Sequence, residues 1–215
     1  QKLTVKVTDS TDKGFQPHGK QVLEPHGIWY TPVTGIWQTV WIEPVPAANR
    51  IEGITTRSDI RAGVLSVDVK TARTGSDRVC VTLSADGKTL AERSSMAGQP
   101  VHLAVEHPRL WSPDDPYLYD LTVALLRDGR VIDRAESYAA LREIATGRDA
   151  NGIERMTLNG RPLFHFGPLD QGWWPDGLYT APTDEALLYD IRFTKQLGFN
   201  MIRKHIKVEP ERWYW

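Results

Sequence analysis

YLYDLTVALLRDGR, residues 117–130, decides how most of this chain folds. Tyr117, Tyr119, Leu121, Val123 and Leu125 recur at every second position, the period of a strand with one buried face. Asp128-Gly129 follows, a pair that tolerates the positive φ of a tight hairpin. SADGKT repeats the device with Asp86-Gly87. From Arg50 to about Arg142 such runs make about seven strands in roughly 95 residues with no helix, the pattern of a complete immunoglobulin-like β-sandwich. One of them, RVCVTL, contains the single cysteine. There Cys80 reads as a small buried hydrophobe.

Upstream, KLTVKVT alternates Leu3, Val5 and Val7 with Lys2, Thr4 and Lys6, and GIWQTVWIE alternates Ile36, Val40 and Ile42 with Trp37, Thr39 and Trp41. Both predict strands. A whole sandwich takes about 100 residues, so residues 1–45 read as the tail of one. PVPAAN, residues 44–49, serves as a linker, because its prolines restrict the backbone without supporting a ladder.

After Ile144 the grammar changes. RMTLNGRPLFHFG predicts a hairpin turning at Asn159-Gly160 and feeding an apolar strand. PTDEALLYDIRFTKQLGFN predicts a helix capped by Thr183, with Asp184 and Glu185 in its first turn, Leu187, Leu188 and Ile191 as its stripe, and Gly198 at its end. FNMIR then reads as a buried parallel strand and EPERWYW as the start of a second helix. Strand, helix, strand, helix is the grammar of a βα barrel, of which a full copy takes about 250 residues. The expected domains are therefore 1–45, 46–144 and 145–215.

Composition narrows the function. The 215 residues are 40% hydrophobic and 25% charged, with a formal net charge of −1. A near-neutral chain lacks the basic face of a dedicated nucleic-acid binder and gives no support for an anionic membrane surface. No apolar run approaches the roughly 20 residues of a membrane span. His18 and His26 have no partners at metal-ligand spacing, so neither a metal nor another cofactor is expected. Gln1 in place of Met, and the terminal Trp-Tyr-Trp cluster, read as the ends of an internal stretch of a longer chain.

Four runs in order resemble family 2 glycoside hydrolases, the β-galactosidase, β-glucuronidase and β-mannosidase relatives. TGIWQTVWIE (34–43) is similar to the strand closing that family's N-terminal jelly-roll domain. LWSPDDPYLYDLTV (110–123) resembles a motif of its immunoglobulin-like domain. LNGRPLFHFG (158–167) resembles the opening of its catalytic TIM barrel, and GFNMIRKH (198–205) its second barrel strand. The resemblance implies a jelly-roll tail, an immunoglobulin-like domain and the first βα units of the barrel. It also implies hydrolysis of β-glycosidic bonds with retention, which requires two carboxyl groups about 5 to 5.5 Å apart. The family carries these as glutamates on later strands, the first after an asparagine. No Asn-Glu dipeptide occurs here, so neither catalytic glutamate is expected within residues 1–215, and these residues alone are expected to be inactive.

Candidate site residues cluster in GPLDQGWWPDGLYTAPTDE, residues 167–185, a loop at the carboxyl end of the first barrel strand, where substrates bind. Trp173 and Trp174 offer flat apolar faces to a sugar ring, or alternatively plug the barrel mouth. Asp170, Gln171 and Asp176 offer hydrogen bonds to hydroxyls. Asp170 stands where galactosidase relatives often carry Asn-Arg-His, so galactoside specificity is not implied. The resemblance places Arg203 in the active-site floor, supporting the catalytic carboxylates; the alternative is a salt bridge inside the barrel. His205 follows Arg203 by two positions where many relatives have three, leaving it either on the sugar or packed elsewhere. The expected partner is a carbohydrate substrate, with a homo-oligomer compatible and a periplasmic or secreted location favoured over the cytoplasm. The competing reading is a non-catalytic β-sandwich module that binds carbohydrate or protein; a family member whose glutamates have been replaced is a third.

Overall fold

In the computed structural model, which describes residues 2–215, seven antiparallel strands occupy residues 51–139. They are β1 (Ile51–Asp59), β2 (Val64–Thr71), β3 (Arg78–Ala85), β4 (Lys88–Met96), β5 (Val101–Ala104), β6 (Tyr119–Arg127) and β7 (Arg130–Ala139). They form two sheets, ordered β1-β2-β5 and β4-β3-β6-β7. One core draws on both: Leu65, Val67 and Leu103 from the first, and Val81, Leu83, Leu121, Val123 and Leu125 from the second. This is a β-sandwich.

The 117–130 run behaves as its alternation requires. Tyr119, Leu121, Val123 and Leu125 are buried, and the Tyr119 hydroxyl accepts a hydrogen bond from the Arg109 backbone N–H at 2.7 Å. The hairpin turns carry positive φ at Asp86 (50°), Gly87 (73°), Asp128 (49°) and Gly129 (75°). Cys80 departs from expectation. Val79, Val81 and Leu83 take the buried face of β3, so Cys80 lies on the opposite face and is only partly buried. A period of two leaves no other choice.

One end of the sandwich is closed by charge. Asp77, 3% exposed, accepts from Arg127 Nε at 2.7 Å, from a second Arg127 nitrogen at 2.8 Å and from Asn49 Nδ2 at 2.7 Å. The Arg127 and Asn49 hydrogen bonds hold its carboxyl down at about 2. A meander of β8 (Ile144–Arg148), β9 (Glu154–Leu158) and β10 (Arg161–Pro162) follows. Its β9–β10 turn has Asn159 at φ 52° and Gly160 at 75°. The Asn159 side chain also donates to the Trp111 carbonyl and accepts from the Glu143 N–H, both at 3.0 Å. Glu43–Phe164, sandwich and meander together, form one compact unit.

Gln1–Ile42 and His165–Trp215 form the other. Helix α1 (Asp184–Gln196) starts as predicted, Thr183 Oγ1 accepting from the Ala186 N–H at 3.1 Å, and Gly198 follows its end at φ 82°. Leu187 is its buried residue, whereas Leu188 is exposed. Around α1 lie β11 (Leu169–Asp170), β12 (Arg203–Lys204) and the short α2 (Glu211–Tyr214). β11 and β12 pair in parallel, with α1 as their crossover. The strands predicted at KLTVKVT and GIWQTVWIE do not form. Among residues 2–42 the sole ladder contact is an isolated bridge between Gln21 and Tyr30. Leu3, Val5, Val40 and Ile42 stay exposed. Alternation makes a strand only where a neighbouring backbone takes its N–H and C=O groups, and here none does.

Candidate functional site

The site is organised by register. Across the parallel pair Leu169 lies opposite Arg203 and Asp170 opposite Lys204. Backbone bonds run from Arg203 N to Pro168 O and from His205 N to Asp170 O, both 2.9 Å. Side chains alternate between faces along a strand, so Asp170 and Lys204 share one face while Leu169 and Arg203 share the other. The first face meets α1: the Asp170 charge and burial both raise the Asp190 carboxyl of that helix, burial contributing most, with Lys204 opposing them. Arg203 is exposed and lies on the other face.

On the α1 side the chain assembles a charge network that no sequence motif announces. Lys204 Nζ lies 2.7 Å from Asp170 Oδ2 and 2.6 Å from Glu209 Oε1. Lys207 Nζ lies 3.3 Å from Glu209 Oε2 and donates to the Gly172 carbonyl at 2.6 Å. Lys207 and Glu209 are 5% and 4% exposed. Burial pulls the Lys207 ammonium below the ordinary lysine value, against the pull of Glu209. The Lys207 ammonium also sits 4.7 Å from the Tyr179 ring centre and 5.3 Å from that of Trp37, where ring quadrupoles stabilise a desolvated cation. Alternation from Lys207 to Glu209 was the available sequence signal, since both point inward while Val208 is exposed.

The 167–185 segment folds over this network. Gly172, at φ 64°, turns sharply enough for its N–H to reach Asp170 Oδ1 at 2.6 Å. An added Cβ would meet Glu209 Oε1, with Lys207 Cδ at 2.8 Å, so the close packing and the positive φ both require glycine. Trp173 stacks on Tyr30, with ring centres 4.5 Å apart and planes 7° from parallel. Trp174 and Leu178 exchange backbone bonds of 2.8 and 2.9 Å around a tight turn, and the Trp174 indole N–H is buried with no hydrogen-bond partner among the described residues.

The structure sorts the candidate residues into groups. Asp170, Gln171 and Trp173 line one cavity of about 410 Å³, together with Tyr30, Asp190 and Thr194. Trp174, Asp176, Arg203 and His205 do not line it. Asp176 is exposed at the turn. His205 is partly buried, and desolvation, with the Arg203 and Lys20 charges, holds its imidazole below the ordinary value. No group of three His, Cys, Asp or Glu able to hold a metal occurs among the described residues.

A two-sheet sandwich followed by a helix-linked parallel strand pair now meets its relatives. Residues 49–142 match the model of the glycosyl hydrolases family 2, and that match together with the relatives below supports a family 2 origin for the chain. It is 30% identical over 206 residues to a Formosa agariphila protein assigned as a β-glucuronidase, covering 89% of this chain and 19% of that one. It is 28% identical over 210 residues to a β-galactosidase of Bacteroides ovatus, covering 87% and 24%. The crystal structure of Ruminococcus gnavus β-glucuronidase superposes with a TM-score of 0.66 at 21% identity, over 77% of this chain and 27% of that one. The chain thus spans about a fifth of the length of the first of these relatives.

Proposed function

We propose that this chain is part of a retaining glycosidase that cleaves β-glycosidic bonds in oligo- or polysaccharides. On this reading residues 1–45 end a jelly-roll domain, 46–144 are an immunoglobulin-like domain, and 145–215 open a (β/α)8 barrel. The single observation that carries it is the parallel β11–β12 pair with α1 as its crossover. A stand-alone sandwich module has no use for such a pair, whereas a barrel is built from it.

In a barrel the helices cover the outside of the sheet and the opposite face turns inward. Arg203 lies on the face away from α1, so its guanidinium is directed to the barrel interior. A fixed cation there holds a carboxylate bidentately and keeps it ionised as a nucleophile. His205 lies on the same face by alternation, its imidazole held below the ordinary value by desolvation and by the Arg203 and Lys20 charges, and its ring nitrogens can donate or accept a hydrogen bond. Asp170 and Lys204 act from the other face, fixing the loop that carries Trp173, Trp174 and Asp176 at the carboxyl end of β11. The acid/base and nucleophile are glutamates outside residues 1–215, attacking and protonating across about 5 to 5.5 Å.

The test is an assay of the complete protein and of residues 1–215 against aryl β-glycosides. The complete protein is expected to turn over and residues 1–215 are not. Turnover by residues 1–215 alone, or none by the complete protein on any β-glycoside, overturns the reading.

A further inference from the structure

Strand parity breaks between β12 and α2. Lys204 lies on the Asp170 face, so alternation would carry Ile206 and Val208 to that face and turn Lys207 and Glu209 away. The reverse is found: Ile206 and Val208 are exposed, whereas Lys207 and Glu209 are buried. Ile206 stands at the break, at φ 74°. A left-handed backbone is strained for a β-branched residue, and such strain persists only where the surroundings over-determine it. Here they do. On one side the His205 N–H is bonded to the Asp170 carbonyl at 2.9 Å. On the other, Lys207 Nζ donates to the Gly172 carbonyl at 2.6 Å.

What the turn delivers is Lys207. Its ammonium takes the carbonyl of Gly172, whose N–H is already taken by Asp170 Oδ1 at 2.6 Å. Both polar groups of Gly172 are thereby fixed, one residue before Trp173. Replacing both members of a buried ion pair by well-packed uncharged groups is often neutral for stability. Lys207 and Glu209 therefore contribute geometry more than energy. We infer that Lys207 is a positioning residue for the glycosidase reaction: the left-handed turn at Ile206 presents it, Glu209 balances its charge, and its hold on Gly172 orients Trp173 and Trp174 at the carboxyl end of β11. The inference rests on the glycosidase reading and adds to it a residue that acts through the loop.

The test combines Lys207→Met with Glu209→Gln, which removes the hold on Gly172 together with both buried charges. In the 215-residue chain, hydrogen exchange over residues 169–178 should quicken about tenfold or more while the β3 and β6 amides keep their protection. Ile206→Pro, locked near a φ of about −65°, should do the same, whereas Ile206→Gly, at ease at positive φ, should not. In the complete protein the double variant should raise KM for an aryl β-glycoside about tenfold with kcat within about threefold, the signature of lost uniform binding. A merely structural loss lowers the folded fraction and leaves KM in place. Unchanged exchange in the double variant, identical behaviour of Ile206→Pro and Ile206→Gly, or an unmoved KM would each overturn the inference; turnover by the wild-type protein then leaves the glycosidase reading standing. A complete wild-type protein inactive on every β-glycoside overturns that reading, and the positioning role with it.

Discussion

The Asp170 carboxylate lies 2.7 Å from the Lys204 ammonium across the parallel β11–β12 pair. That contact fixes which way every neighbour points. Register sends Arg203 to the opposite face, and Lys204 passes the charge on to Glu209 and thence to Lys207. The loop with the two tryptophans is held at the strand ends by ion pairs and a glycine turn, together with the stack of Trp173 on Tyr30.

Glu209 is the hub, with a side chain only 2% exposed. Glu209→Gln leaves the buried Lys207 ammonium without its counter-charge. Breaking one member of a buried pair costs about 3 kcal/mol or more. Urea denaturation read by Trp fluorescence should show a loss of that order. Lys207→Met added to Glu209→Gln should recover most of it, since the orphaned charge is then gone.

Gly172→Ala should loosen the same region by another route. The new methyl meets Glu209 Oε1 and Lys207 Cδ, in a backbone conformation that alanine resists. Such local strain costs about 1–3 kcal/mol. Hydrogen exchange should quicken at the Gly172 and His205 amides while the β3 and β6 amides of the sandwich keep their protection.

Acid should weaken the sandwich through Asp77. Its folded-state pKa is about 2 against an ordinary 3.8, so its contribution is complete above about pH 4. That contribution is lost as pH falls through about 2. Thermal unfolding of the wild-type chain should lose midpoint over that window. Asp77→Asn should start lower at neutral pH and show a flatter decline, as measured by circular dichroism at successive pH values.

Legibility in the sequence followed the range of the interactions. The sandwich strands and the turns at Asp86-Gly87, Asp128-Gly129 and Asn159-Gly160 were readable, because alternation and positive φ are local requirements. Thr183 and Gly198 bounded α1 for the same reason. KLTVKVT and GIWQTVWIE carry the same alternation without forming strands, because pairing is not a property of one segment. Cys80 was misplaced by reading composition ahead of phase; Val79 and Val81 set the phase. The Asp170–Lys204–Glu209–Lys207 network depends on the register of two strands brought together by a helix, so nothing local in the sequence joins its members. Asp170 and Arg203 were both legible as candidates, but their placement on opposite faces follows only from Leu169 opposing Arg203.

The most direct test of the glycosidase account is the configuration of the first product released by the complete protein. Proton NMR of an aryl β-glycoside digest, recorded before mutarotation, resolves the anomers. The account predicts the β-anomer first, and an Arg203→Ala variant with kcat/KM lowered by about a hundredfold or more, as loss of a charged active-site partner gives. Initial release of the α-anomer, or an Arg203→Ala variant with unaltered kcat/KM, would contradict it.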